Sequence, residues 1–326
     1  MDAPSQGSGR PHRRMDIRSL TPYAVLMVFG LAIIVFSALN PSSFATWANV
    51  KGILTTQSVL AVAALGVTIP LICGQFDLSV SATISVVGLL TTGLMSRTDV
   101  PWVLALTAGI LVGITIGLVN GVLVGYGGIH SFIATLGVST VLSGLALWYS
   151  RGQTIFSDID PQFVSVMRGS LVGVPLPIIY TIVVGFAVWM LLSHVPFGRH
   201  LYAIGGNRSA AEIAGVPVRR TIVLSLVTGA TLAAVAGVML ASRSASAQPG
   251  AGDTYLLPAF AAAFIGAACV KRADFNAVGT LIGVYFVATL VNGAFTLGAQ
   301  NYVNSLISGS ALILAVLANR ALASRS

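Results

Sequence analysis

Ten predominantly apolar stretches, each 16 to 23 residues long and separated by short polar breaks, limit what this chain can fold into. They run Pro22–Leu39, Leu54–Ile72, Leu78–Met95, Trp102–Val124, Ile129–Trp148, Leu171–Leu192, Thr221–Ala241, Tyr255–Val270, Phe275–Leu297 and Tyr302–Leu317. A hydrocarbon core of about 30 Å is crossed by about 20 helical residues, so runs of this length read as membrane spans. Only 8% of the 326 residues are charged and 56% are hydrophobic, whereas roughly a quarter of a soluble domain is charged. With no water in the bilayer to satisfy a bare backbone, the expected fold is all-α: a polytopic integral membrane protein with about ten transmembrane helices. The first run is too long for the apolar region of a signal peptide and leads into NPSSF rather than a small-residue cleavage site, so it reads as a retained helix.

Basic residues orient the set. Ten alternating spans with the N-terminus inside put Arg10, Arg13, Arg14, Arg18, Arg199, Arg208, Arg219, Arg220, Lys271, Arg272, Arg320 and Arg325 in the cytoplasm. Lys51, Arg97, Arg151, Arg168 and Arg243 fall outside, and this imbalance is the one the positive-inside rule expects. Making Tyr255–Val270 a re-entrant segment would destroy it. Both termini are therefore expected in the cytoplasm, as a tail over residues 1–20 and another over 321–326, around a single domain over 21–320. The net charge of +8 is scattered through loops and lacks the basic, aromatic-bearing face of a nucleic-acid binder. Cys73 and Cys269 end apolar runs without metal-ligand or CxxC spacing, which marks buried thiols.

Pro196–Arg220 is the only long polar segment between runs, on the cytoplasmic side in this topology. Ser209 and Glu212 stand three apart as a capping box, Gly215 sits where a left-handed C-cap belongs, and Pro217 forbids continuation. A two-turn helix over Ser209–Ala214 follows, too short to persist unaided. Two supports suit it: a groove on another protein, or membrane lipid meeting Arg199, Arg208, Arg219 and Arg220.

Within the spans the informative acid is Asp77, in ICGQFDLSVSATISV. It serves either as an N-cap at the start of the third span or, with Gln75 and Ser79, as part of a polar route through a break at membrane depth. Asn120, Thr135, Asn292 and Asn304 are polar residues on apolar runs, fit to bridge helices or to line the path of a hydroxyl-rich solute. GLVNG, GLAL and GTLIG supply small residues for close helix packing. No GxxxxGK[ST], HExxH or GxSxG occurs, so neither ATP hydrolysis nor hydrolase chemistry is visible in this sequence.

GRHLYAIGGNRSAAEIAGVPVRR resembles the cytoplasmic coupling segment of the ribose-type permeases of bacterial ATP-binding-cassette importers, whose pattern runs GR-x-x-YAIGGN, then small residues, then SGI or AGV. GQFDLSVS is similar to the family's GGIDLSVG, HSFIATLGVSTVLSGLAL to its PFIATLGTMSIARGLAL, and SRSASAQPGAGDTYLLPAFAAAFIGA, GTLIG and VNGAFTLG to its later stretches. The likeness covers most of the chain in order. It departs at Gln75 and Ser81, where the family has glycine, and at Val270–Asn276, VKRADFN, in place of a glycine-rich loop. The resemblance implies a non-enzymatic multi-pass subunit of the bacterial inner membrane that works with a second permease copy or paralogue and holds no cofactor of its own. Two ATPase subunits would use ATP and Mg, and an extracytoplasmic sugar-binding protein would deliver the solute. It implies coupling to the ATPases through residues 198–220, with Arg199, Gly206, Asn207, Ser209, Ala211, Glu212, Gly215 and Val216 as contacts. Gln75, Asp77, Ser79, Asn120, Thr135 and Asn292 are the expected translocation residues. Family solutes are pentoses, hexoses, polyols such as inositol or erythritol, and furanosyl autoinducer-2. An ion-coupled secondary transporter of a small neutral solute is the alternative.

Overall fold

The computed structural model describes residues 21–269 and 274–323. The basic tail over residues 1–20, with Lys271, Arg272 and Arg325, lies outside the described residues. Each of the ten apolar runs contains a helix, and four further helices are interleaved with them. In order these are α1 Thr21–Leu39, α2 Trp47–Thr56, α3 Ser58–Ile72, α4 Val80–Thr98, α5 Trp102–Gly125, α6 Ser131–Ser150 and α7 Pro161–Arg168. A two-stranded hairpin, β1 Ser170–Leu171 with β2 Val174–Pro175, precedes α8 Leu176–Ser193. Then come α9 Pro196–Gly206, α10 Arg208–Ile213, α11 Val218–Ser244, α12 Asp253–Ala268, α13 Ala277–Thr296 and α14 Tyr302–Ala323.

Six of these, α4, α5, α6, α8, α11 and α13, are long and apolar enough to cross a membrane, or seven if α2 and α3, bent by 45° at Gln57, count as one span. The apolar parts of α1, α12 and α14 are shorter. Length and composition thus support a polytopic membrane protein, while ten full crossings rest on more than helix length.

At the centre stands α3, every residue of which is buried. It is wrapped by α11, α12, α13 and α8. Small residues allow this closeness. A Cβ on Gly66 of α3 would come within 2.8 Å of the Gly229 carbonyl on α11, and one on Gly229 within 2.8 Å of the Gly66 carbonyl. On α5 the same device repeats every fourth residue. Gly113, Gly117, Gly121 and Gly125 all face α11, against Ala234, Val227, Val223 and the Arg219 carbonyl respectively. GLVNG and GTLIG therefore do pack backbone to backbone, whereas Gly144 of GLAL faces open space.

Hydrogen bonds sort the turns onto two ends of the bundle. At one end the Tyr202 hydroxyl on α9 donates to the Phe275 carbonyl before α13 (2.9 Å), and Gly125 abuts Arg219. At the other, Arg97 donates to the Tyr149 carbonyl (2.8 Å), Arg168 to the Arg243 carbonyl (3.0 Å), Arg243 to the Thr56 carbonyl (2.7 Å) and Asn40 to the Thr296 carbonyl (2.8 Å). Ile155 and Ala247 exchange backbone hydrogen bonds at that same end.

The polar segment is more helical than its composition suggests. Pro196 opens α9 at its first turn, where a missing N–H does no harm, and Gly198, Leu201 and Ile204 turn inward at threefold spacing. The sequence expectation placed a helix only over Ser209–Ala214 of this segment.

Candidate functional site

The break between α3 and α4 is tied by three helices. Pro70 loosens the last turn of α3, Gly74 takes a left-handed φ of 74°, and Gln75 N–H returns to the Pro70 carbonyl (2.9 Å). From α6, the Ser131 hydroxyl accepts from Phe76 N–H (3.0 Å) and the Thr135 hydroxyl from Leu78 N–H (3.0 Å). Asp77 is fully buried. Its Oδ1 accepts from both the N–H and the hydroxyl of Ser79 (2.9 and 2.6 Å), while α5 sends the Asn120 amide to the same Ser79 hydroxyl (2.8 Å). Asp77 Oδ2 and Asn120 Oδ1 are left without partners.

Three of the six expected translocation residues, Asp77, Ser79 and Asn120, thus share one network, and a fourth, Thr135, holds the backbone of the same break through Phe76 and Leu78. Asp77 is not the N-cap residue itself: α4 begins at Val80 and the carboxylate closes a turn two residues earlier. Nor do Asp77 and Ser79 border an open route in this conformation, since both have no exposed surface. Gln75 points elsewhere, into a cleft at the α9–α10 end that also holds Arg208 and Arg219. Asn292 on α13 stands apart, half-buried with an unpartnered carbonyl oxygen.

The cytoplasmic-type helix exists, with a corrected cap. α10 is six residues, Arg208–Ile213, and its N-cap is Asn207, whose Oδ1 accepts from Ala210 N–H (2.9 Å); Ser209 lies inside the helix and caps nothing. Sequence placed the start two residues late because both side chains suit an N-cap. The other end matches expectation. Gly215 takes φ 83°, with Gly215 N–H on the Glu212 carbonyl (3.0 Å) and Val216 N–H on the Ala211 carbonyl (3.0 Å). Ala211 is buried and Val216 half-buried, so they anchor the turn, while Arg199, Gly206, Asn207, Ser209, Glu212 and the 89%-exposed Ile213 face outward. Burial, seconded by the negative charge of Asp274, pushes the Tyr202 phenol up to about 12, so at physiological pH it remains the donor that ties α9 to Phe275.

The opposite end holds a feature that sequence reasoning passed over. α4, α11, α12 and the turn after α11 enclose a cleft of about 340 Å³ whose polar groups come from Ser85, Ser244, Ser246, Gln248, Thr254 and Tyr255. No charged side chain lines it, and a volume of this order suits a small ligand. The signal was present in SRSASAQPGAGDTY, dense in hydroxyl and amide groups just after a span. Among the described residues, no group of three or more His, Cys, Asp or Glu is placed to hold a metal ion.

The profile of a family described as branched-chain amino acid transport system / permease component matches residues 49–317. The ribose import permease protein RbsC of Bacillus subtilis is 36% identical over 305 residues, covering 93% of each chain. The D-allose transport system permease protein AlsC of Escherichia coli K12 is 30% identical over 91% of each chain. The L-arabinose transport system permease protein AraH of the same strain is 32% identical over 97% of this chain and 96% of its own. No solved structure matches significantly.

Proposed function

Because the chain belongs to this permease family, as a ribose-type monosaccharide permease of ATP-binding-cassette importers, we propose that it carries a monosaccharide or related polyol across the bacterial inner membrane. ATP is hydrolysed on two partner ATPase subunits, a second permease copy or paralogue completes the path, and an extracytoplasmic binding protein delivers the solute. The observation that carries this reading is the joining, in one chain, of a solute-sized neutral polar cleft at one end and a capped, outward-facing helix at the other.

The cleft between α4, α11 and α12 is the entry side of the path. Hydroxyl and amide side chains exchange hydrogen bonds with a sugar without the desolvation penalty of a buried charge. α10 is the coupling helix, and Arg199, Gly206, Asn207, Ser209, Glu212 and Ile213 form the face seen by the ATPase. Its motion reaches the break through α9, which lies close against the end of α3: a Cβ on Gly205 would run into the Ile72 carbonyl. The bonds that Asn120 and Thr135 make to the break around Asp77 and Ser79 then change hands as α4 moves against α5 and α6. Ten crossings with both termini inside accord with the sorting of turns onto two ends, and three of the five basic residues assigned outside are held there by carbonyls.

The test is reconstitution of the chain with its ATPase and binding protein in proteoliposomes. ATP-dependent sugar uptake, lost together with ATPase co-purification on deleting residues 208–215, is the expected result. Uptake driven by an ion gradient without ATP, or ATPase binding unchanged by the deletion, overturns the reading.

A further inference from the structure

Two hollows at the coupling end differ in chemistry and meet at one residue. The first, about 410 Å³, is polar and basic: Arg208 before the body of α10 and Arg219 at the start of α11 face His130 and Ser131 at the N-terminus of α6, with Gln75 from the break beside them. The second, about 510 Å³, runs along the seam of α5 and α6 between Val119, Leu123, Ile133, Gly137 and Val141, and is almost wholly apolar. Ile129 lines both. A cationic pocket at the end of two candidate spans therefore lies beside an apolar groove along those spans, with Ile129 between them.

We propose that this composite site binds one anionic phospholipid of the cytoplasmic leaflet, its phosphate between Arg208 and Arg219 and one acyl chain in the α5–α6 groove. Charge and polarity match the molecule at both ends. A phosphate gains two guanidinium partners and the positive end of α6. Arg97, Arg168 and Arg243 each donate to a backbone carbonyl, whereas Arg208 and Arg219 stand exposed and together line the cleft. Gly137 keeps the groove open, because a Cβ there would meet nothing within 4 Å. A zwitterionic lipid could enter the groove but would present its own cation to the arginines. The bound lipid would also bridge α6 to both ends of the α10 turn, so leaflet composition would bear on how firmly that turn is held.

The experiment titrates the purified full-length chain, without partner subunits, with phosphatidylglycerol, phosphatidylcholine and inorganic phosphate, read by native mass spectrometry. Phosphatidylglycerol is expected to bind more tightly than phosphatidylcholine. Replacing both arginines (Arg208→Gln with Arg219→Gln) should weaken it roughly thirtyfold, at about fivefold per cation, and leave phosphatidylcholine unchanged. Gly137→Leu, whose Cβ meets nothing within 4 Å, should weaken both lipids while the thermal stability in detergent stays at the wild-type value. Equal affinity for the two lipids, affinity untouched by either variant, or full displacement by inorganic phosphate overturns the proposal. So does quantitative disulfide formation between copies carrying Val141→Cys, which would show the groove covered by a second chain.

Discussion

The Asp77 carboxylate brings two oxygens into a site that partners one of them. Asn120 repeats the imbalance, its amide nitrogen engaged and its oxygen bare. Asp77→Ala should therefore lose both bonds from Ser79 and cost about 1–3 kcal/mol, seen as a lower melting temperature in detergent. Asp77→Asn keeps an acceptor for Ser79 and substitutes a donor for the bare oxygen, so the fold should survive while ATP-driven uptake falls. Wild-type melting of the alanine variant would remove Asp77 from the structural account, and wild-type uptake by the asparagine variant would remove its charge from the transport cycle. Asp77, Asn120 and Thr135 were legible as unusual, since polar groups on apolar runs need partners. Their convergence on the break over residues 76–79 was not, because α5 and α6 bring Asn120 and Thr135 to it only through tertiary packing. The hydroxyl-lined cleft escaped for the opposite reason: each of its serines is ordinary alone.

Two elements at the coupling end offer matched pairs of variants. Asn207→Ala removes the cap of a six-residue helix and should cost about 0.5–2 kcal/mol of local stability, with ATPase co-purification falling in step. Ser209→Ala should leave local stability unchanged, and an equal loss of stability in both variants would restore the cap to Ser209. Gly205→Ala forces a methyl group into the Ile72 carbonyl, whereas Gly206→Ala meets nothing within 4 Å. The first should destabilise the protein by about 1–3 kcal/mol, and the second should leave its melting temperature almost unchanged. The C-terminal end of α10 could be read directly from Gly215 and Pro217, because backbone geometry there admits few residues. α9 could not, since its inward stripe begins on a glycine and the helix holds four residues that are poor helix formers, Pro196, Gly198, Gly205 and Gly206.

Across the whole molecule, each of the ten apolar runs holds a helix, although Leu54–Ile72 is broken between α2 and α3 and Leu171–Leu192 begins in β1, while the number of crossings is a question that hydropathy and length answer differently. Chemistry at the two ends can decide it. In a Cys269→Ser background, cysteine placed at Ser157 should react with a membrane-impermeant maleimide in intact cells, and cysteine at Ser209 only after permeabilisation. Both labels appearing from the same side would break the alternation. A solute role for the cleft predicts that Gln248→Ala raises the KM for uptake severalfold with ATPase association unchanged. The arginine count that oriented the chain mixed two populations, for Arg97, Arg168 and Arg243 are fastened to carbonyls and would stay where they are whatever the charge rule preferred. The same mixing of causes applies to α3. Its side chains, Val, Leu, Ile and Ala except at Ser58, Gly66, Thr68 and Pro70, would suit a helix facing lipid, yet every one of them ends against protein. A helix leaving the insertion machinery meets hydrocarbon before its neighbours exist, so α3 must be apolar enough to wait there. The composition of the innermost helix thus answers to an early stage of biogenesis, and a polar substitution tolerated by the finished packing could still fail before α11 and α12 arrive to enclose it.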